Sequence, residues 1–491
     1  MDLLLIIFYI ALFLSFAYVI NKRRIPELPA YALPIFFILK LGYAGLFYYV
    51  YTYVYGNGVI VEDPYIFFHD SQVIYNVFYE SKEAFFNIFL GLNNEIEYLN
   101  QYIERTTKWI STESKIFNDT RNIIRVNVLL HFISNHQILI HFVILTFISF
   151  LGIVDVFQWI KRKTSLSPIV LMCVLTLIPS IAFWTGNNLK EQLLFFAFAI
   201  LLRGIFDKLS VKQRIWRILL GVILALAFKP YVLASLAIVV VFYFTFSKIT
   251  RNQIFNTVTY FTLGVTLIYI SGLHRPITDE ISNKQFDFLN VSQGGLYIIP
   301  NEEEFYYIEL DKLKHFEIDY STRTAKLTSP TEAFYMEQKS NYKRYPFLLD
   351  KVNESYPIYL LLSGANSKVN VTIINYSYLQ LLKNIPEALY NCFLEPIPTK
   401  NSSRILLLSF AENLGYLLLI LLSILFPKSL STKEKRIIFS LILSGLILTI
   451  LIGLTTPVAG AIVRYMLPVH FIIVLIFALT FKGNFKRKIK V

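Results

Sequence analysis

The stretch "PSIAFWTGNNLKEQLLFF", residues 179–196, sets a lysine and a glutamate between two apolar runs. Lys190 and Glu191 fall where a helix would begin. The free N–H groups of that first turn and the positive end of the helix dipole then lie beside the Lys190 ammonium, a combination that suits an anion, above all a phosphate. The arrangement recurs. Lys229 precedes Pro230 at another expected helix start, and Arg464, in "TTPVAGAIVRYMLP", precedes a third. Taken singly, each cation also fits a side chain that snorkels toward lipid headgroups. Three at equivalent helix starts point instead to a shared anion site.

Acidic candidates cluster in "VEDPYIFFHDSQVIYN", which holds Glu62, Asp63, His69 and Asp70. Asp70 there offers a general base, or an orienting group, for an acceptor hydroxyl; the alternative is a solvated loop acid. Glu62 and Asp63 together with Asp70 also offer a site for a divalent cation, Mg or Mn, beside a pyrophosphate. No other cofactor is expected. Glu412, in "LLLSFAENLGYLLL", lies about two turns into an apolar helix, where an unpaired carboxylate is costly, so a partner or a function is expected for it. Lys40, in "FFILKLGYAG", is placed similarly. His69, His131, His136, His141 and His274 show no metal-ligand spacing and are assigned to packing or interfacial roles. Cys173 and Cys392 give neither a disulfide framework nor a zinc motif.

The elements that must position these residues are apolar helices. The 491-residue chain is 55% hydrophobic, 16% aromatic and 16% charged, with a mean hydropathy of +0.54. Several apolar runs reach the roughly 20 residues that cross about 30 Å of hydrocarbon. The net charge of +13 is gathered in short clusters between these runs: Lys22 to Arg24, Lys161 to Lys163, Lys208 to Arg217, Lys248 to Arg251, Lys428 to Arg436 and Lys482 to Lys490. That distribution marks cytoplasmic loops and excludes a nucleic-acid partner. The N-terminal run follows Asp2 and precedes its positive charges, so it reads as a retained helix with its N-terminus outside and not as a cleavable signal.

Threading the basic clusters to one side gives an all-α polytopic membrane protein of about eleven transmembrane helices, at 2–20, 31–53, 137–159, 166–184, 190–207, 216–228, 231–247, 254–272, 404–427, 437–455 and 465–481. The organisation is then N-terminal helices at 1–53, a first extracytoplasmic loop at 54–136 and a transmembrane core at 137–272. A large extracytoplasmic segment at 273–403 and C-terminal helices at 404–491 follow, with the C-terminus cytoplasmic. The 273–403 segment is expected to form a small helical subdomain, with Ser329 and Thr331 capping a helix near Pro330.

In combination these motifs resemble large bacterial envelope proteins grouped with the GT-C glycosyltransferases. "PSIAFWTGNNLKE" is similar to their PS-x-x-FW-x-S-G-x-x-K-E/D motif, and "TTPVAGAIVRYMLP" to their closing Pro-x-x-Gly-x-x-x-Arg-Tyr. "IPEALYNCFLEPIPTKNSSRILLLSFAEN" resembles a segment of theirs that ends in a helix bearing Glu-Asn, with Glu395 in the place of an arginine. The resemblance implies an inner-membrane, multi-pass inverting transferase that takes sugars from polyprenyl-phosphate or polyprenyl-diphosphate donors at the outer face and passes them to a glycan or lipid-linked acceptor. It implies Asp70 as base and Lys190, Lys229 and Arg464 as holders of the lipid phosphate; Asp63, Glu191 and Glu412 are expected beside them in support, holding the cations or contacting the sugar. A polymerase of O-antigen or capsule repeat units is the close rival, and it needs no acidic base. A flippase for lipid-linked oligosaccharides stands third, because the chain has neither the duplicated halves nor the small outer loops expected of one.

Overall fold

The computed structural model describes residues 2–109, 118–301, 304–337, 340, 342–365, 367–397 and 404–483. The chain forms two compact units. The first comprises Met1–Ile254, Tyr416–Gly445 and Leu467–Val491, and the second Phe255–Gly415 and Leu446–Met466.

The first unit is helical. Helix α1 (Asp2–Arg24) ends on its basic triplet. It turns into α2 (Ala32–Tyr49) through buried Asn21, whose Oδ1 accepts from the Leu33 N–H at 2.9 Å. Four helices follow: α3 (Glu62–Glu80), α4 (Lys82–Leu90), α5 (Ile96–Ile103) and α6 (Asp119–Ser134). Side chains start two of them, Ser81 capping α4 and Asn118 capping α6, and Gly91 closes α4 with a left-handed φ of 72°. The long α7 (Ile138–Ile160) leads to α8 (Pro168–Thr176) and the single-turn α9 (Pro179–Trp184). Pro179 cannot donate into the preceding turn, so the expected 166–184 helix breaks at Leu177–Ile178 and restarts with the proline in its first turn. Then come α10 (Glu191–Phe206), α11 (Val211–Phe228) and α12 (Pro230–Phe244). Helix α10 packs between α7 and α11. The approach of α11 requires a glycine, since a Cβ on Gly221 would stand 2.5 Å from Leu201 Cγ.

Helix α13 (Gln253–Ile270) leads into the second unit, which contains α14 (His274–Gln293) and a seven-stranded antiparallel sheet. Its strands are β1 (Gly295–Asn301), β2 (Glu304–Glu309), β3 (Phe316–Asp319), β4 (Thr324–Leu327), β5 (Thr331–Glu337), β6 (Tyr345–Leu349) and β7 (Ser355–Leu362). They are ordered β3-β4-β7-β1-β2-β5-β6 and curl into a half-barrel. Leu296, Ile298, Ile308, Ala325, Leu327, Ala333 and Leu349 pack as the core of the sheet. Rings of Phe286, Tyr307 and Phe334 surround Arg344, the nearest 3.5 Å from its guanidinium carbon. Helices α15 (Tyr378–Lys383) and α16 (Ile385–Phe393) follow. The chain closes with α17 (Arg404–Leu425), α18 (Thr432–Thr455), α19 (Ala459–Tyr465) and α20 (Leu467–Thr480).

The protein is therefore mostly helical but not all-α. The segment expected as a helical subdomain carries the sheet, and Thr331 opens β5 where a helix cap was expected. "EFYYIE" and "SYPIYLLL" are rich in aromatic and β-branched residues, which favour a half-buried pleated surface over a helix. Among the described residues seven helices are long and apolar enough to cross a membrane, or eight when α19 and α20, bent by 51°, count as one span. Three of the eleven expected spans are helical without meeting that measure. The first is broken at Leu177–Ile178, α10 has sixteen residues, and α11 begins with Lys212, Arg214 and Arg217.

Candidate anion site

The segment from Thr185 to Lys190 is buried although it is mostly polar, and most of its polar groups find partners, Asn188 Oδ1 being without one among the described residues. Thr185 Oγ1 donates to Ile181 O at 2.5 Å and accepts from the Nζ of Lys40, a fully buried residue of α2. Ser149 Oγ of α7 donates to Thr185 O at 2.8 Å. Asn187 Oδ1 accepts from the Leu189 N–H and from Gln192 Nε2. Asn188 Nδ2 donates to Pro64 O at 2.9 Å, tying the segment to the first turn of α3. A Cβ on Gly186 would press on the Ala44 backbone at 3.2 Å, so α2 also fixes its path. The result is a rigid entry into α10, with Lys190 at its N-cap.

Lys190 meets a group that the sequence did not single out. Its Nζ lies 2.5 Å from Asp119 Oδ2, and Lys229 Nζ lies 3.9 Å from the same oxygen. Asp119 stands in the first turn of α6, after the Asn118 cap that accepts from the Thr120 and Arg121 N–H groups at 3.0 Å. Lys229 is the N-cap of α12. Asn122 Nδ2 donates to Ala227 O at 2.8 Å, which fixes α6 to the end of α11 just ahead of Lys229. Burial alone would raise the Asp119 carboxyl. The Lys190 and Lys229 charges, with hydrogen bonds from Lys190 and the Thr120 N–H, bring it below the usual carboxylate range instead. Two ammoniums thus meet the carboxylate of Asp119 where α6, α10 and α12 begin, and the positive dipole ends of these helices add to the pair.

The other expected residues are placed differently. Asp70 is fully buried within α3. Its Oδ1 accepts from the Thr107 N–H at 2.8 Å, and its Oδ2 from those of Lys108 at 2.7 Å and Trp109 at 3.0 Å. Arg121 holds the same turn by donating from Nε and Nη2 to Trp109 O at 3.0 and 2.8 Å. In this arrangement Asp70, the residue expected as base, is buried and organises a backbone turn. Among the described residues no group of three or more His, Cys, Asp or Glu has metal-holding geometry. Asp63 is half-buried in the first turn of α3, and Glu191 is buried in the first turn of α10. Arg464 and Glu412 belong to the second unit. Arg464 occupies the last turn of α19, not a helix start, so its charge complements a C-terminal dipole end. Glu412 lies two turns into α17, half-buried, beside Asn413, whose Nδ2 donates to Glu395 O at 2.9 Å.

A histidine cluster also escaped the spacing argument. His131 and His141 lie with ring centroids 4.8 Å apart, and His131 and His136 5.2 Å apart. Ser71 Oγ is 3.0 Å from His131 Nε2, and Asn127 Oδ1 is 2.7 Å from His141 Nδ1. These contacts pin α3, α6 and α7 together, in keeping with a packing role.

The fold and site define a largely helical protein with several membrane-compatible helices, a sheet-bearing second unit and a buried cationic centre. Comparison with protein-family models, with curated proteins and with solved structures gives no match.

Proposed function

We propose that the protein is an enzyme of cell-envelope polysaccharide assembly that transfers glycosyl groups from a polyprenyl-phosphate or polyprenyl-diphosphate carrier at the outer face of the cytoplasmic membrane. The observation that carries the reading is the convergence of Lys190 and Lys229, from separate helix starts, on the single carboxylate of Asp119. Asp119 holds the two ammoniums in place before substrate arrives, so little reorganisation is needed when a phosphate docks. During transfer the acceptor oxygen bonds to the anomeric carbon and the bond from that carbon to the phosphate oxygen breaks. The electron pair passes to the leaving phosphate, where Lys190 and Lys229 stabilise it, and the hydroxyl proton leaves to solvent. Arg464, Asp63, Glu191 and Glu412 are not required by this step.

The enclosure of Asp70 favours one form of the reaction, a repeat-unit polymerase, which relies on stabilising the lipid diphosphate and needs no carboxylate base. Outward placement of Lys190 and Lys229 puts the basic clusters at Arg24, Lys161 to Lys163 and Lys208 on the cytoplasmic side, consistent with the positive-inside rule. The test is a lipid-linked glycan profile of cells lacking the protein, complemented with wild type or with Lys190→Gln/Lys229→Gln. Accumulation of a complete single repeat on the carrier, unrelieved by the double variant, is the expected result. A carrier-bound repeat lacking one sugar would indicate transfer of single sugars instead. Unchanged glycans, or full rescue by the double variant, would refute the assignment of these lysines.

A further inference from the structure

A second cationic centre lies at the other end of α10. Arg203, in its last turn, stands thirteen residues from Lys190, roughly 20 Å along a helix axis. There the ends of α1, α7 and α10 and the starts of α11 and α18 surround a cavity of about 570 Å³, within the usual range for small-ligand sites. Seven cationic and two acidic side chains line it, a surplus of five positive charges.

Part of that charge is held by internal partners. Lys161 bonds Glu27 at 2.7 Å, and Asp207 takes Lys163 at 3.6 Å and Arg203 at 3.2 Å. Arg203 also reaches Asp155 at 2.6 Å. Glu434 is engaged by Lys428 at 3.1 Å and by the Ser431 N–H and hydroxyl, as a capping box at the start of α18. The remaining four, Arg24, Arg162, Lys208 and Lys433, come from four different segments and have no carboxylate partner among the described residues. All four are exposed on the rim of the cavity, where water weakens their mutual repulsion and leaves their charge open to a ligand. Two further features favour an anion. The starts of α11 and α18 bring positive dipole ends to the wall. Trp159, also in the wall, carries Lys163 Nζ 5.2 Å from its ring centroid, which helps hold that ammonium at the cavity.

We propose that this cavity binds a phosphate-bearing anion, distinct from any ligand of Lys190 and Lys229. The ligand's phosphate completes the charge balance that Arg24, Arg162, Lys208 and Lys433 leave open. The same chemistry is presented by an anionic phospholipid headgroup and by a soluble pyrophosphate, and the test separates them.

The full chain is purified in neutral detergent, and pyrophosphate binding is measured by calorimetry. Native mass spectrometry of protein from nanodiscs with and without phosphatidylglycerol reads retained lipid. The quadruple variant Arg24→Gln/Arg162→Gln/Lys208→Gln/Lys433→Gln changes exposed side chains and should leave the fold intact, which circular dichroism checks. Lys190→Gln/Lys229→Gln serves as the reference for the first site. Pyrophosphate binding at the cavity is expected to weaken about a hundredfold in the quadruple variant and to persist in the lysine pair variant. Loss of retained phosphatidylglycerol in the quadruple variant assigns the site to a headgroup. Loss of pyrophosphate binding without any lipid effect assigns it to a soluble anion. Wild-type levels of both in a folded quadruple variant would overturn the proposal, and so would loss of all binding in the lysine pair variant. If Lys190 and Lys229 bind no phosphate, the cavity still binds it, so the two proposals fail separately.

Discussion

Replacing Asp119 by asparagine isolates the electrostatics of the first site. In the folded protein Lys190 Nζ and Lys229 Nζ are 2.5 and 3.9 Å from one carboxylate oxygen, so the two ammoniums stand no more than 6.4 Å apart, the sum of those distances. At an effective dielectric constant of about 20, two unit charges at that separation repel by roughly 2.6 kcal/mol. A closer approach raises the figure. In wild type the carboxylate offsets this repulsion; in Asp119→Asn it does not. The variant is expected to unfold several degrees lower in detergent, followed by intrinsic tryptophan fluorescence at low salt. Pyrophosphate should restore most of the loss, because it supplies the missing negative charge. It should also bind the variant more tightly than wild type, since it no longer competes with a fixed carboxylate. High salt should shrink the difference by screening. The pH dependence provides a second check. A carboxyl held below its unfolded value contributes stability that is present above about pH 4 and is lost as pH falls through the lower folded value. Asp119→Asn should flatten that acid limb. A variant that melts with wild type and ignores pyrophosphate would refute the reasoning.

Three other outcomes follow from the geometry. Asp70→Asn replaces an acceptor of three backbone N–H groups, so a loss of about 1–3 kcal/mol and faster proteolysis near Thr107 are expected, with glycan assembly retained wherever the protein folds; a fully stable variant devoid of activity would restore Asp70 as base. His131 is held down to about 4, first by burial and then by His136, against a contribution from the Phe68 carbonyl that raises it. Stability should therefore fall as pH drops from about 6.5 toward 4, by up to roughly 1.4 kcal/mol per unit for this group, and His131→Gln should reduce the slope in acid-unfolding curves. Lys40→Met removes an ammonium buried beside Thr185 and should leave the melting temperature unchanged or higher while the glycan profile reports whether that charge serves the reaction; a sharp loss of stability would show that the Lys40 contact is structural.

The helix starts were legible because proline, serine and asparagine mark them locally. Pro179 and Pro230 both begin helices, where their missing N–H groups cost nothing, and Lys190 and Lys229 stand at helix starts as expected, each at the N-cap. Arg464 does precede α20, but it lies in the last turn of the separate α19, and Pro468 in the first turn of α20 is the local mark of the 51° bend. The sheet was hidden for another reason: a short apolar run such as that of β7 has the length of a strand and the apolarity of a buried helix turn, and periodicity does not separate them. Asp119 was invisible because its importance comes from a lysine 71 positions away, whereas locally it is one more polar residue at a helix start. The partners of Asp70 were hidden for the same reason, since the backbone groups it binds lie 37 to 39 residues downstream.

The half-barrel ends in two unlike strands, and each discourages a second chain from continuing the ladder. At one end β6 carries Pro346, which has no N–H to give to an added neighbour. At the other, β3 is four residues long and stops at Asp319, whose Oδ1 turns the chain away by accepting from the Ser321 N–H at 2.8 Å and the Ser321 hydroxyl at 2.6 Å. Hydrogen bonds from Ser321 and Thr322 hold that carboxyl down to about 2, so it stays ionised across the physiological range. A sheet so rich in tyrosine, phenylalanine and leucine would otherwise template edge-to-edge aggregation among copies of the chain. The proline at one margin and the fixed negative charge at the other leave neither edge suited to pairing with a second copy.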